Sequence, residues 1–340
     1  MPDAVLVANP TAQSGKAAEW IDLARRLLDT AGIAHEFRAT EPEGGTVEVV
    51  RRAVDDDGAR LVIYMGGDGT FAEVAKGILA SQHAAATHIG MLPTGTANDQ
   101  GKSFGLSAGP GALPENIAVI AGGATAEIDV GRVEVLDRQD HVLHRDLFFD
   151  SMSVGFSAGA LATRNRDREL VGKIPGLGLL YRDHLVYAGA VARRLFETYV
   201  ADVKFDLEAT IDGERFYFEN LFDCIIKNTR VFGGEWVLDP ETAHDDGLFE
   251  LVPIRGRIDF GTKLVANLRH LPLEEILRTV GFEHSDPIPG ARFTLTIVSP
   301  GVDRFPSAQI DGEELLGGER YRVDVLPRGL SLVVPRAQAR

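Results

Sequence analysis

A single cysteine, Cys224, stands in 340 residues, so an internal disulfide and a cysteine-rich zinc site are both excluded. It lies in the apolar run Leu221–Ile226 and reads as a buried thiol rather than a nucleophile. No basic block offsets the net charge of −15, which argues against a nucleic-acid partner and gives no general attraction to anionic lipid. Any membrane contact must therefore be local. No stretch approaches the ~18 apolar residues of a membrane span, and the opening Met1-Pro2-Asp3 has neither the basic nor the apolar region of a leader. The nine histidines show no metal-ligand spacing. Two nucleotide signatures are missing as well. No Gly-x-Gly-x-x-Gly follows the first strand and no Gly-x₄-Gly-Lys-Ser/Thr occurs, which disfavours a dinucleotide fold and a P-loop enzyme. What is left is a chain long enough for two ordinary domains, expected in the cytoplasm.

The first 130 residues alternate strand and helix: Ala4–Ala8 then Ala17–Thr30, His35–Arg38 then Thr46–Asp57, Leu61–Met65 then Phe71–Ser81, His88–Leu92 then a short helix. This rhythm predicts a parallel sheet covered on both faces, a Rossmann-like three-layer α/β domain. After Asp129 the pattern changes to alternating strands, among them Gly131–Leu136, Val203–Leu207, Arg215–Phe218, Leu248–Pro253 and Arg292–Val298. The second half is expected to be an antiparallel β-sandwich domain. One helical interruption, about Gly178–Thr198, is expected to pack on a sheet.

The chemistry concentrates in the turns that follow the early strands. Leu61–Met65 runs straight into Gly66-Gly67-Asp68-Gly69-Thr70. Glycines permit φ > 0 and remove every Cβ, so backbone N–H groups can approach an anion closely; Thr70 with Glu73 reads as a capping box opening a helix. That helix would point its positive end at phosphate. Asp68 would repel such a ligand unless it holds a bridging Mg²⁺ or a hydrogen-bonded group; the alternative is a strand-to-helix turn in which it bonds local backbone. Strand His88–Leu92 opens into Pro93-Thr94-Gly95-Thr96-Ala97-Asn98-Asp99, and Ala4–Ala8 into Asn9-Pro10-Thr11-Ala12-Gln13-Ser14-Gly15-Lys16. Three such loops at one sheet edge converge where open α/β sheets bind ligands. The chain also holds two Ile-Asp-Gly-Glu tetrads, of which Ile211–Glu214 lies between alternating runs and reads as a hairpin turn.

Taken in order, Asn9-Pro10…Ser14-Gly15-Lys16, Gly66-Gly67-Asp68-Gly69-Thr70 and Pro93-Thr94-Gly95-Thr96-Ala97-Asn98-Asp99 resemble the diacylglycerol kinase and sphingosine kinase catalytic superfamily, especially its soluble bacterial lipid kinases. Ser153-Val154-Gly155-Phe156, Gly233-Gly234, Asp245-Asp246-Gly247-Leu248-Phe249 and Ile310-Asp311-Gly312-Glu313 continue the family order over nearly the whole chain. Gly-Gly-Asp-Gly alone is shared with NAD kinases and phosphofructokinases; the combination is specific.

The resemblance implies a nucleotide-binding domain of residues 1–130 plus about 318–340, a lipid-substrate domain of 131–317 and a cleft between them, with the final strands, about Tyr321–Pro335, returning to the first domain. It implies phosphoryl transfer from ATP, with Mg²⁺, to a lipid with a free hydroxyl such as diacylglycerol. Asn9, Pro10, Ser14, Gly15, Lys16, Gly66, Gly67, Asp68, Gly69, Thr70, Thr94, Gly95, Thr96 and Asn98 would hold the nucleotide, and Asp68 would also serve catalysis. Glu313 would be the general base. Asp311 would orient it or bind metal through water. Asp246 would position Mg²⁺ in a second acidic loop with backbone carbonyls such as those of His244 and Leu248, or else close an ordinary Asp-Gly turn. Ala97 stands where relatives commonly have glycine, so the backbone there must accept a Cβ. Peripheral, transient contact with a membrane surface is expected, and a homodimer is left open. An NAD kinase would share Asp68, but its Asn-Glu pair and Thr-Gly-Ser-Thr-Ala-Tyr loop are absent. A nucleotide-binding regulator that had lost catalysis would not need both Asp68 and Glu313.

Overall fold

The computed structural model describes residues 3–159, 161, 204–232, 236–237, 242–255, 286–298 and 305–339. The helical segment expected at Gly178–Thr198 and the pair Gly233-Gly234 lie outside the described residues. The first part runs β1 (Ala4–Ala8), α1 (Lys16–Thr30), β2 (His35–Ala39), α2 (Gly45–Asp55), β3 (Leu61–Gly66), α3 (Asp68–Leu79), β4 (His88–Pro93), α4 (Asp99–Ser103) and α5 (Leu113–Gly122). Strands β2, β1, β3 and β4 lie side by side and parallel.

Alternate residues of these strands enter two separate cores, as the two-residue period of a strand requires. Val5, Val7, Val62, Tyr64, Ile89 and Met91 join Val50, Val54, Phe71, Val74 and Ile78 of α2 and α3 on one face. Leu6, Ala8, Ile63, Met65 and Leu92 join Ile21, Ala24, Leu28, Ile117 and Ile120 of α1 and α5 on the other. The expected three-layer arrangement follows from this division. Each helix buries one stripe; in α1 it is Ala17, Ile21, Ala24 and Leu28, at the spacing of a helical face.

The second part is built from strands β5 (Thr125–Leu136), β6 (Val142–Phe148), β7 (Ser151–Gly155), β8 (Phe205–Ile211), β9 (Glu214–Leu221), β10 (Asp223–Lys227), β11 (Val231–Phe232), β12 (Trp236–Val237), β13 (Phe249–Ile254), β14 (Ile288–Gly290), β15 (Arg292–Val298), β16 (Ala308–Ile310), β17 (Glu313–Leu315) and β18 (Arg320–Val333). A six-stranded sheet of order β14-β13-β10-β7-β16-β17 faces the sheet that contains β18, β15, β8 and β9. Their inner faces share one core: Met152, Val154, Cys224, Ile226, Phe249 and Ile310 meet Val133, Leu207, Phe293, Tyr321 and Val323. This is the expected sandwich, and Cys224 is the buried thiol expected.

β18 joins the two parts. Its early residues pair with β15, whereas Ser331 and Leu332 pair in parallel with His88 and Ile89 of β4. β5 accompanies it along both stretches. A boundary at residue 130 thus falls inside β5, because one hydrogen-bonded sheet runs through both parts.

Candidate active site

The register places the three glycine-containing loops next to one another. Ala8 lies beside Met65, Met65 beside Leu92 and Gly66 beside Pro93, so the chain leaves β1, β3 and β4 at the same edge. The glycines of the central loop are required for space, not for φ: Gly66, Gly67 and Gly69 all lie outside the positive-φ region, which corrects the expectation from sequence. A Cβ on Gly66 would stand 2.5 Å from Thr70 Oγ1, and one on Gly95 would stand 2.4 Å from Gly67 Cα. On Gly69 it would stand 3.4 Å from Glu313 Oε1. The loops are therefore packed backbone against backbone, with Glu313 directly over the start of α3. Ala97 needs no positive φ and accepts its Cβ without strain.

The capping box is also corrected. Gly67, extended at φ −102° and ψ −168°, is the N-cap of α3 with no side-chain cap, and Thr70 lies inside the helix against Gly66. Asp68 instead reaches across to the third loop, where Oδ2 accepts the Asn98 N–H at 2.8 Å and Oδ1 the Gln100 N–H at 3.4 Å. It caps the neighbouring helix α4 rather than its own. Burial, with the negative charge of Asp150 added to it, pushes the Asp68 carboxyl above the usual carboxylate range.

Asn98 has φ 57°, a left-handed conformation that asparagine tolerates. Its side-chain amide bonds within the loop at both ends, Oδ1 accepting the Gly95 N–H at 2.8 Å and Nδ2 donating to the Gly95 carbonyl at 2.9 Å. The structure thus gives Asn98 a loop-shaping role, and Thr94 and Gly95 are tied to β3 by N–H bonds to the Gly66 carbonyl. In the first loop Asn9 Oδ1 accepts both the N–H and the hydroxyl of Thr11, at 2.9 and 2.8 Å. Ala12–Gly15 form a 3-10 turn that ends at Gly15 with φ 88° and leads into α1, where the Lys16 N–H bonds back to the carbonyls of Ala12 and Gln13.

Both Ile-Asp-Gly-Glu tetrads form the same hairpin. Asp212 and Gly213 have φ 49° and 93°, and Asp311 and Gly312 have φ 47° and 78°, the signs of a type I′ turn. Their surroundings differ. Asp212 accepts the N–H groups of Ala291 and Arg292, and Glu214 starts β9, the outermost strand of its sheet. Asp311 accepts three N–H groups, from Phe149 at 2.8 Å, Asp150 at 2.8 Å and Ser151 at 3.1 Å. Burial and the neighbouring Asp150 push the Asp311 carboxyl up to about 7, against the lowering effect of those bonds. Asp311 therefore anchors the hairpin that carries Glu313.

Sequence reasoning missed the buried ion pair behind these carboxylates. Lys227, 1% exposed, donates to Asp150 Oδ1 at 2.9 Å and to the Val231 carbonyl at 2.8 Å. Thr229 and Ser151 hydroxyls also donate to Asp150. Asn228 donates to the carbonyls of Asp129 and Phe149, each at 2.7 Å. The only signal in the sequence was a polar triplet, Lys227-Asn228-Thr229, closing the apolar strand β10. Removing one partner of a buried pair strands the other charge. Lys227→Met is expected to lower the unfolding free energy by about 3–5 kcal/mol, measured by denaturant titration, whereas a loss below about 1 kcal/mol would mean the pair is solvated.

The acidic loop is held by a carboxylate that sequence reasoning left out. Asp129 accepts the N–H groups of Gly247 at 2.6 Å and Arg328 at 2.7 Å, and its own N–H goes to the His244 carbonyl at 2.7 Å. One lone pair of that carbonyl, expected to face a hard ion, is thus used by Asp129. Asp246 Oδ1 accepts the Leu248 N–H at 3.0 Å, the local turn bond that the sequence allowed. Among the described residues no group of three or more His, Cys, Asp or Glu side chains is arranged to hold a metal. This donor set fits Mg²⁺ only in its common form, with one or two carboxylates and the remaining ligands from phosphate and water.

With this geometry in place, comparison with known proteins is informative. Residues 3–133 match the diacylglycerol kinase catalytic domain. "Probable lipid kinase YegS" of Salmonella arizonae is 28% identical over 98% of this chain and 96% of its own length. The protein of that name from Escherichia fergusonii is 27% identical over 98% and 97%. In fold, the chain is similar to a diacylglycerol kinase from Bacillus anthracis, with a TM-score of 0.66, 15% identity and coverage of 99% and 98%. Yeast NADH kinase in complex with NADH is a more distant likeness, with a TM-score of 0.54, 10% identity and coverage of 98% and 83%.

Proposed function

Because the chain belongs to the diacylglycerol kinase catalytic superfamily, we propose that it transfers the γ-phosphate of ATP to a primary hydroxyl of a lipid such as diacylglycerol. The observation that carries this reading is that Glu313 lies against Gly69 at the start of α3, whereas the identical tetrad at Glu214 belongs to the β8–β9 hairpin of the other sheet. Phosphoryl transfer is mainly positioning and charge stabilisation, with a group to accept the hydroxyl proton. The Lys16 ammonium group at the start of α1 offers positive charge for the phosphates, and the packed Gly66–Thr70 and Thr94–Asn98 loops give them a rigid floor. Glu313 takes the proton of the lipid hydroxyl. Asp68 holds the third loop in shape through its bonds to the Asn98 and Gln100 N–H groups, and its carboxylate suits a cation that accompanies the phosphates.

Mg²⁺, when bound with ATP, would neutralise phosphate charge, with Asp68 and Asp246 as the carboxylates able to serve it. Asp246→Asn keeps the oxygen that closes the Leu248 turn but removes the charge. It is expected to raise the Mg²⁺ concentration for half-maximal activity by about tenfold; an unchanged titration would return Asp246 to its turn role.

The lipid reaches the site from a membrane surface through local contact. No helix among the described residues is long and apolar enough to cross a membrane. Phe305 and Leu316, on either side of the β16–β17 hairpin, are 39% and 52% exposed and suit local contact with lipid. The test is ATP hydrolysis with and without mixed micelles. Turnover that rises with diacylglycerol supports a kinase, and ATP binding with no turnover under any lipid supports a binding regulator.

A further inference from the structure

Gln309 lies on β16, 4% exposed, on the side of the strand opposite Ala308 and Ile310, which enter the sandwich core. A buried amide is expensive unless both ends are bonded, and here both are. Its Nε2 donates to Ser153 Oγ at 3.0 Å, and its Oε1 accepts the N–H of Gly312 at 2.7 Å. Ser153 is its direct neighbour across the β7–β16 pairing. Ser153 Oγ also accepts the Ser157 hydroxyl at 2.7 Å, and the Ser157 N–H is donated to Asp223 Oδ2 at 3.0 Å. A line of largely buried polar groups therefore runs from β10 through β7 to the Gly312 N–H, in the peptide that joins Asp311 to Gly312.

Gly312 is the soft joint of that hairpin. It has φ 78° in a turn closed by the pairing of Ile310 with Glu313, and nothing lies within 4 Å of where its Cβ would stand, so no packing contact at that point adds to its hydrogen bonds. Asp311 anchors one side of the turn through Phe149, Asp150 and Ser151. The bond from Gly312 to Gln309 anchors the other. At the matching position before the first tetrad stands Thr210.

We propose that Gln309 is a positioning residue that fixes the direction in which Glu313 points into the cleft. This rests on reading Glu313 as the proton acceptor. The Gly312 peptide is locked by the Gln309 carbonyl oxygen, and Ser153 holds the amide so that this oxygen faces the turn. An error of about 1 Å in a catalytic group is enough to cost about 10²-fold in rate.

Gln309→Met preserves volume and removes both bonds. It is expected to lower kcat for lipid phosphorylation by about tenfold, the value of one lost hydrogen bond, with KM for ATP unchanged within about twofold. Introduced into Glu313→Gln it should have no further effect on kcat, since there is no base left to aim. Thr210→Val, the control at the other hairpin, should leave kcat unchanged. Amide hydrogen exchange supplies a readout that does not depend on the reaction: Gln309→Met should speed exchange at Gly312 and its neighbours while β1, β3 and β4 stay protected. Equal loss of kcat in both backgrounds, a parallel rise in KM for ATP, or unchanged exchange at Gly312 would overturn the proposal. A wild-type protein that phosphorylates no lipid would sink the proposed function, and the exchange experiment would still decide the role of Gln309 in holding the turn.

Discussion

Glu313→Gln should lower kcat by about 10²–10⁴, the usual contribution of a positioned general base, and leave ATP affinity nearly intact. Glu214→Gln should change neither. The two glutamates share a tetrad and a turn type, with positive φ at both Asp212 and Gly213 and at both Asp311 and Gly312. No local property separates them. The difference lies in tertiary placement: Glu313 Oε1 stands 3.4 Å from where a Cβ on Gly69 would be, whereas Glu214 begins β9, paired with β8 in the other sheet. A glutamine amide in place of the Glu313 carboxylate would keep the size of the side chain but could not accept the hydroxyl proton, so the loss falls on kcat and not on nucleotide binding. Steady-state kinetics and ATP titration of the two variants check this. Inactivation by Glu214→Gln, or full lipid phosphorylation by both, would remove Glu313 from the base role.

Asp68→Asn is expected to reduce kcat/KM by about 10²–10³, the scale of losing one preorganised electrostatic group, with the fold retained. An amide oxygen can still accept the Asn98 N–H, which Asp68 receives at 2.8 Å, while the amide nitrogen replaces the oxygen that accepts the Gln100 N–H at 3.4 Å, so α4 keeps the shorter of these two bonds. The lost charge is what the variant tests. Asp68→Ala removes both functions and should add about 1 kcal/mol of destabilisation through the missing cap. If Asp68→Asn is as active as wild type while Asp68→Ala is not, Asp68 only shapes the third loop.

The elements that sequence made legible are those governed by local rules. Strand-helix alternation gave the parallel sheet and the order of its loops, because each strand feeds two cores by alternate residues such as Val62 and Ile63. The hairpin at Ile211–Glu214 was legible from Asp-Gly between alternating runs. The resemblance also anticipated the return of the last strand, observed where Leu332 pairs with Ile89. What was not legible depends on contacts distant in the chain. Thr70 and Glu73 have the spacing of a capping box, yet Thr70 is packed against Gly66 and the relevant cap is Asp68 on α4. Glycine in Gly66-Gly67-Asp68-Gly69 suggested left-handed backbone, whereas the requirement comes from Thr70, Gly95 and Glu313 crowding the loop. Asp150 and Lys227 each look like strand-end polar residues until the fold brings them within 2.9 Å. Asn98 could be placed in the third loop by its motif, but only the structure shows that both ends of its amide bond to Gly95.

The most direct measurement is transfer of label from γ-labelled ATP, with Mg²⁺, in one mixture containing NAD and mixed micelles of diacylglycerol, phosphatidylglycerol and a sphingoid base. The account predicts label in an organic-extractable phospholipid product, present with wild type and Glu214→Gln and reduced by about 10²–10⁴ with Glu313→Gln. Label recovered in NADP, or in no product while ATP still binds, would contradict it.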